Sequence, residues 1–125
     1  MPKDYARTER LSEQVRRELS ELIRREIKDP RVGMVSITDV RVSRDLSHAK
    51  VYITRIGAPE DRDPAVQALN HAAGFLKREL GRSMHVRSVP NLHFQYDTAV
   101  EEGARMETLI DRAIASDAHV ASGDA

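Results

Sequence analysis

At Pro30 the hydrophobic pattern of this chain changes period, from that of a helix to that of a strand. Upstream, Leu11, Val15, Leu19, Leu22, Ile23 and Ile27 recur at helical spacing and form one apolar stripe, with Arg and Glu on the remaining face. At about 3.6 residues per turn such a stripe lies on one side and has to be buried against another element. Downstream, Val35 and Ile37, then Val40 and Val42, alternate at every second position, as a strand with one buried face requires. The fold class that follows is α+β, with a helix laid on a sheet.

The first helix is expected over residues 8–28, stopped by Asp29-Pro30 because proline disfavours the helical conformation in the residue before it. The strand pattern slips phase between Ile37 and Val40, which predicts a β-bulge near Thr38-Asp39. A second strand carries Ala49, Val51 and Ile53 on one side and Lys50, Tyr52 and Thr54 on the other. The short turn at 43–47 joins the two as an antiparallel hairpin. A polar loop at 57–62 leads to a helix for which Asp63 is the expected cap and Pro64 the first residue. Val66, Leu69, Ala73, Leu76 and Leu80 form its stripe, and Gly81 its expected stop. Gly74 interrupts that helix; a glycine there costs about 0.5–1 kcal/mol relative to alanine, so a kink or a close contact is expected.

A third strand is expected over 85–96, with Leu92, Phe94 and Tyr96 on one face and Pro90 at a sheet edge or bulge. Thr98-Ala99-Val100-Glu101 has the capping-box pattern of a last helix, 98–114, with Met106, Leu109, Ile110 and Ala113 as its stripe. With the long helix broken at Gly74, the first six elements read α-β-β-α-α-β. That is the order of a type II KH-like fold, a three-stranded sheet with helices on one face, here followed by an additional C-terminal helix. Residues 1–115 are read as a single domain and 116–125 as a disordered acidic tail.

A chain of 125 residues suffices for one such core and not for two. The absence of cysteine excludes disulfides, thiol catalysis and Cys-based zinc sites. The N-terminal MPKDYARTER has no signal-peptide core and no apolar run reaches membrane-spanning length, so a cytoplasmic protein without membrane contact is expected. Two Phe, three Tyr and no Trp argue against base stacking on aromatics as the main mode of RNA binding. The net charge of zero conceals an asymmetry: residues 1–97 hold 18 Lys and Arg against 14 Asp and Glu, whereas 98–125 hold 2 against 6. A basic body of this kind is compatible with nucleic acid and does not require it.

Enzyme chemistry finds no constellation. His48, His71, His85, His93 and His119 are scattered, without the i, i+4 helical pair of zinc hydrolases. Glu101 and Glu102 are adjacent, which splays them around a helix and suits them to its N-terminus. A Gly-rich phosphate loop is lacking. No catalytic residue, metal or cofactor is expected.

Several strings occur together in one order: Glu26-Ile27-Lys28-Asp29-Pro30-Arg31, Val42-Ser43-Arg44-Asp45-Leu46, Ala49-Lys50-Val51-Tyr52-Ile53-Thr54, Ala72-Ala73-Gly74-Phe75-Leu76, and the run from Arg87 to Asp97. Up to about Ile114 this set resembles the ribosome-binding factor A family of bacterial small-subunit assembly factors. The resemblance implies a KH-like domain whose Gly-x-x-Gly loop is replaced by an Ala-x-Gly helix kink, matched here by Ala72, Ala73 and Gly74. It also implies a monomer that binds the immature 30S subunit and its 16S rRNA, including the 5′-terminal helix region. Late 16S processing, a role in the cold and no catalysis complete what the family implies.

The basic residues placed to meet RNA phosphate are Lys77, Arg78, Arg82 and Arg87 beyond the kink, Arg44 in the turn and Lys50 on the outward strand face. Lys3, Arg7 and Arg10 form an N-terminal group. A solvated surface role is the competing reading for each, and for Gly74 it is close packing of the first helix. Arg16, Arg17, Arg24 and Arg25 alternate with Glu along the first helix and read as charge pairs. Two other functions stay open at this level: a factor that binds mature ribosomes, and a protein–protein adaptor without RNA contact.

Overall fold

The described chain, residues 3–86 and 88–99 of a computed structural model, runs α1 (Lys3–Glu26), β1 (Val35–Val42), β2 (His48–Arg55), α2 (Arg62–His71), α3 (Ala73–Met84) and β3 (Asn91–Tyr96). This is the expected α-β-β-α-α-β order. The last helix expected at 98–114 falls outside the described residues beyond Ala99.

The helix-1 stripe is buried as the spacing requires: Val15 and Leu19 are fully covered and Leu22 and Ile23 nearly so. The helix starts earlier than residue 8, because nothing in 3–7 breaks it and such residues propagate a helix already nucleated. It ends at Glu26, where Asp29 turns the chain by accepting the Arg31 N–H at 3.0 Å, an Asx turn just ahead of the basic side chain.

The sheet order is β1-β2-β3, so β2 is central. β1 and β2 are antiparallel, and the register jumps from Ile37↔Ile53 to Asp39↔Tyr52, leaving Thr38 as the bulged residue. β3 runs parallel to β2, with Ala49 beside Leu92 and Val51 beside Phe94. A parallel neighbour needs a crossover, and α2 and α3 supply it. The three described helices cover the face bearing Val40, Ala49, Val51, Ile53, Leu92 and Phe94, and on the opposite face Lys50 and His93 are exposed. Leu69, Leu76 and Leu80 complete the core from α2 and α3.

Local chemistry moved several expected boundaries. α2 starts at Arg62, after a 3-10 turn at Pro59–Asp61, and Asp61 rather than Asp63 holds the cap position. The Asp61 carboxylate turns back to accept the Ala58 N–H at 3.2 Å. Pro64 therefore lies in the first turn but not at its first position, still where the missing N–H is harmless. The interruption of the long helix is at Ala72, with ψ of 0°, and not at Gly74, which is helical within α3. Gly81 does not stop α3. The buried stripe continues through Leu80 to Met84, and the left-handed residue that ends the helix is His85, φ 53°. β3 begins at Asn91 rather than at 85, immediately after buried Pro90, which cannot donate to the ladder.

One side chain that the pattern did not single out ties the loops together. Arg55, only 15% exposed, donates from its guanidinium to the carbonyls of Arg31 (3.2 Å), Val32 (3.1 Å) and Ile56 (2.9 Å), and its Nη1 lies 3.4 Å from Asp61. It locks the loop after α1 against the loop after β2.

Candidate nucleic-acid interface

The basic residues of α3 have unequal freedom. Leu76 and Leu80 point to the core, which turns Arg78 and Arg82 outward and leaves Lys77 half-buried at the boundary. Lys77 Nζ donates to Asn91 Oδ1 at 2.8 Å, joining α3 to the first residue of β3. Arg82 lies 3.3 Å from Glu79, one turn back on the same helix. Arg78 is exposed and makes no ion pair among the described residues. Gly74 lies upstream on this helix, and a side chain there would meet only the Arg78 guanidinium, at 4.0 Å. Gly74 therefore does not serve close packing of α1; its backbone is simply open at the start of α3. The first N–H groups of a helix lack intrahelical acceptors and favour anions.

The hairpin end of the sheet brings the other group to the same region. Asn91, held by Lys77, pairs in register with His48, and its N–H donates to the Ser47 carbonyl at 2.8 Å. Lys50 is exposed two residues along β2, flanked by Arg41 of β1 and His93 of β3. Arg41 is held by Asp39 at 3.0 Å and lies 5.5 Å over the Tyr52 ring, a cation–π contact on the Lys50 face. Arg44 projects into solvent from the turn. The turn is fixed by Asp45, which accepts the hydroxyls of Ser47 (2.6 Å) and Ser43 (2.7 Å) and the Ser47 N–H (3.1 Å). Those donors, Ser47 first, hold its carboxyl at about 2, so it stays ionised beside Arg44. Arg7 and Arg10 are exposed on the first half of α1, which reaches the same hairpin where the Val42 N–H donates to Ser12 Oγ at 3.3 Å.

Structure thus links Lys77 to the Arg44–Lys50 hairpin through Asn91, a connection invisible to the sequence because it depends on β3 being parallel to β2. Arg78 and Arg82 extend the surface along α3. Arg87 and the side chain of Lys3 lie outside the described residues. Of the Arg residues that alternate with Glu along α1, Arg16 pairs with Glu13 and Arg24 with Glu21 one turn away, Arg25 pairs with its neighbour Glu26, and Arg17 is in no ion pair among the described residues. His48, His93, Asn91 and Arg41 were not among the expected residues. The outward phase of β2 marked position 48 from sequence, but nothing before the fold brought 93 beside it. Among the described residues there is no group of three metal-ligating side chains, and no helix is long and apolar enough to cross a membrane.

Comparison with known proteins places this geometry. A family model described as ribosome-binding factor A matches residues 7–110. The ribosome-binding factor A of Thioalkalivibrio sulfidiphilus is 57% identical over 117 residues, covering 94% of this chain and 91% of that protein. Among solved structures, the crystal structure of ribosome-binding factor A from Thermus thermophilus superposes with a TM-score of 0.63 at 31% identity, covering 71% of this chain and 94% of that one. A homology model of the Thermus thermophilus ribosome-binding factor A, fitted into a cryo-EM map of a 30S–ribosome-binding factor A complex, gives a TM-score of 0.61 at 32% identity, covering 71% of this chain and 93% of that one. By sequence along nearly its whole length and by fold, this chain belongs to the ribosome-binding factor A family.

Proposed function

We propose that this protein is a non-catalytic assembly factor that binds the free or immature 30S subunit through the phosphate backbone of its 16S rRNA. The observation that carries the reading is the Thermus thermophilus relative fitted in a 30S complex, which shares this fold. The basic path from α3 through Asn91 to the hairpin supplies matching chemistry: exposed Arg and Lys contact phosphate without reading sequence. The described helices leave Lys50 and His93 exposed on the sheet for a large partner, and the open backbone at Gly74 sits at a helix start suited to phosphate. In this reading the protein acts as a cytoplasmic monomer during late 16S maturation, near the 5′-terminal helix region. Its absence matters most in the cold, and residues 1–115 act as one domain.

Sedimentation of cell extracts through sucrose, with detection of the protein across fractions, tests this directly. It should travel with free 30S subunits and leave them when salt is raised. Co-migration with joined ribosomes would indicate a factor of mature ribosomes. A position at the top of the gradient at every salt concentration would remove the reading in favour of an adaptor without RNA contact.

A further inference from the structure

His48 and His93 belong to no cap and no core contact, yet they touch. His48 Nδ1 and His93 Nε2 lie 3.0 Å apart, with ring centroids separated by 5.1 Å, and both residues are exposed on the Lys50 face of the sheet. A hydrogen bond between two imidazole nitrogens needs a proton on one and a lone pair on the other. In the neutral pair, one N–H is used between the rings and a single N–H points outward. Uptake of one proton gives the pair a positive charge and turns both outer nitrogens, His48 Nε2 and His93 Nδ1, into donors. That is the valence of an anion site, formed without breaking the contact between the rings.

The surroundings favour an anion there. Lys50 stands in register with His93, and Arg41 of β1 stands across from Lys50. Lys77 of α3 reaches Asn91, the register partner of His48. The opposing charges are Asp39, engaged with Arg41; Asp97, engaged with Thr38 and the Ala99 N–H and near Arg41; and Asp45 of the turn, engaged with Ser43 and Ser47 and near His48. Tyr52 lies under Arg41.

Resting on the reading of this face as an rRNA-binding surface, we infer that the His48–His93 pair is a phosphate site, which takes a backbone phosphate of RNA when the pair holds its extra proton. Bound phosphate stabilises the protonated pair. Proton uptake by the pair and phosphate binding are therefore linked, and the site contributes more to affinity at lower pH.

The test measures affinity for purified 30S subunits across salt concentrations at two pH values. It compares the wild type with the double variants His48→Asn/His93→Asn and His71→Asn/His85→Asn, each checked for folding by thermal melting. Wild type should bind roughly tenfold tighter near pH 6 than near pH 8, with a salt dependence steeper by about one unit, the increment of one neutralised phosphate. The 48/93 variant should lose that difference and match wild type on the alkaline side, while the 71/85 variant keeps it. Persistence of the full pH effect in the 48/93 variant would overturn the inference. Salt-dependent binding by wild type with no pH effect would overturn it too, leaving the rRNA-binding reading intact. Absence of subunit binding at both pH values would remove that reading along with it.

Discussion

The guanidinium of Arg55 reinforces two loops that are otherwise joined by a backbone bond from the Ile56 N–H to the Met34 carbonyl at 3.1 Å. Three carbonyls accept from it, and two glycines make room: a Cβ at Gly33 would stand 2.5 Å from Arg55 Nη2 and one at Gly57 2.3 Å from Nη1. Arg55→Ala should lower the unfolding free energy by about 1–3 kcal/mol, the loss of one charged donor shared among three carbonyls. Arg55→Lys should recover only part of the loss, because an ammonium cannot present the planar fork. Urea denaturation of both variants measures this. In the hairpin turn, Asp45 behaves as a depressed carboxylate. Its folded value of about 2 lies below that of the unfolded chain, so its contribution is present above the unfolded value and is lost as pH falls towards about 2. Asp45→Asn should therefore flatten the acid limb of a stability–pH curve between about pH 4 and about pH 2. An unchanged limb would mean that the serine donors are equally available to the carboxylate in the unfolded chain.

At the scale of elements, the periodicities were legible where burial alone decides them. The stripe of α1, the inward set of β2 and the phase slip at Thr38 all follow from which residues must leave water. Boundaries were less legible because they depend on single hydrogen bonds made across the chain: Asp61 to Ala58, or the left-handed turn at His85. Gly81 misled because a glycine near the end of an apolar stripe suggests a helix stop, whereas this one lies inside α3 and a Cβ there would make only an ordinary contact, 3.6 Å from Val89 Cγ2. Gly74 can be tested by experiment. Since it is helical and faces open space, Gly74→Ala should stabilise the fold by about 0.5–1 kcal/mol. If phosphate approaches the backbone there, the same variant should bind 30S subunits more weakly while melting at a higher temperature. Equal affinity would show that Gly74 has no part in binding.

For the whole molecule, charge is the property to perturb. Replacing Lys77, Arg78 and Arg82 together by Gln keeps helix propensity and should flatten the salt dependence of 30S binding by about two units. Replacing Arg44 and Lys50 tests the hairpin half independently. If only the second pair of substitutions matters, the interface lies on the sheet and not along α3. Sequence alone yielded both halves of this candidate surface but not their junction, since Asn91 and His93 reach β2 only through a register set in three dimensions. That register also orders events in time. The β1–β2 hairpin closes over a short turn, whereas β3 pairs with β2 from about forty residues away, and distant pairings form late because loop closure precedes any gain. A nascent chain holding only α1 and the hairpin would present Arg44 and Lys50 without Asn91, His93 or the Lys77 link. Engagement of the full surface would then report that folding is complete, so that a half-made copy competes poorly for the same subunit.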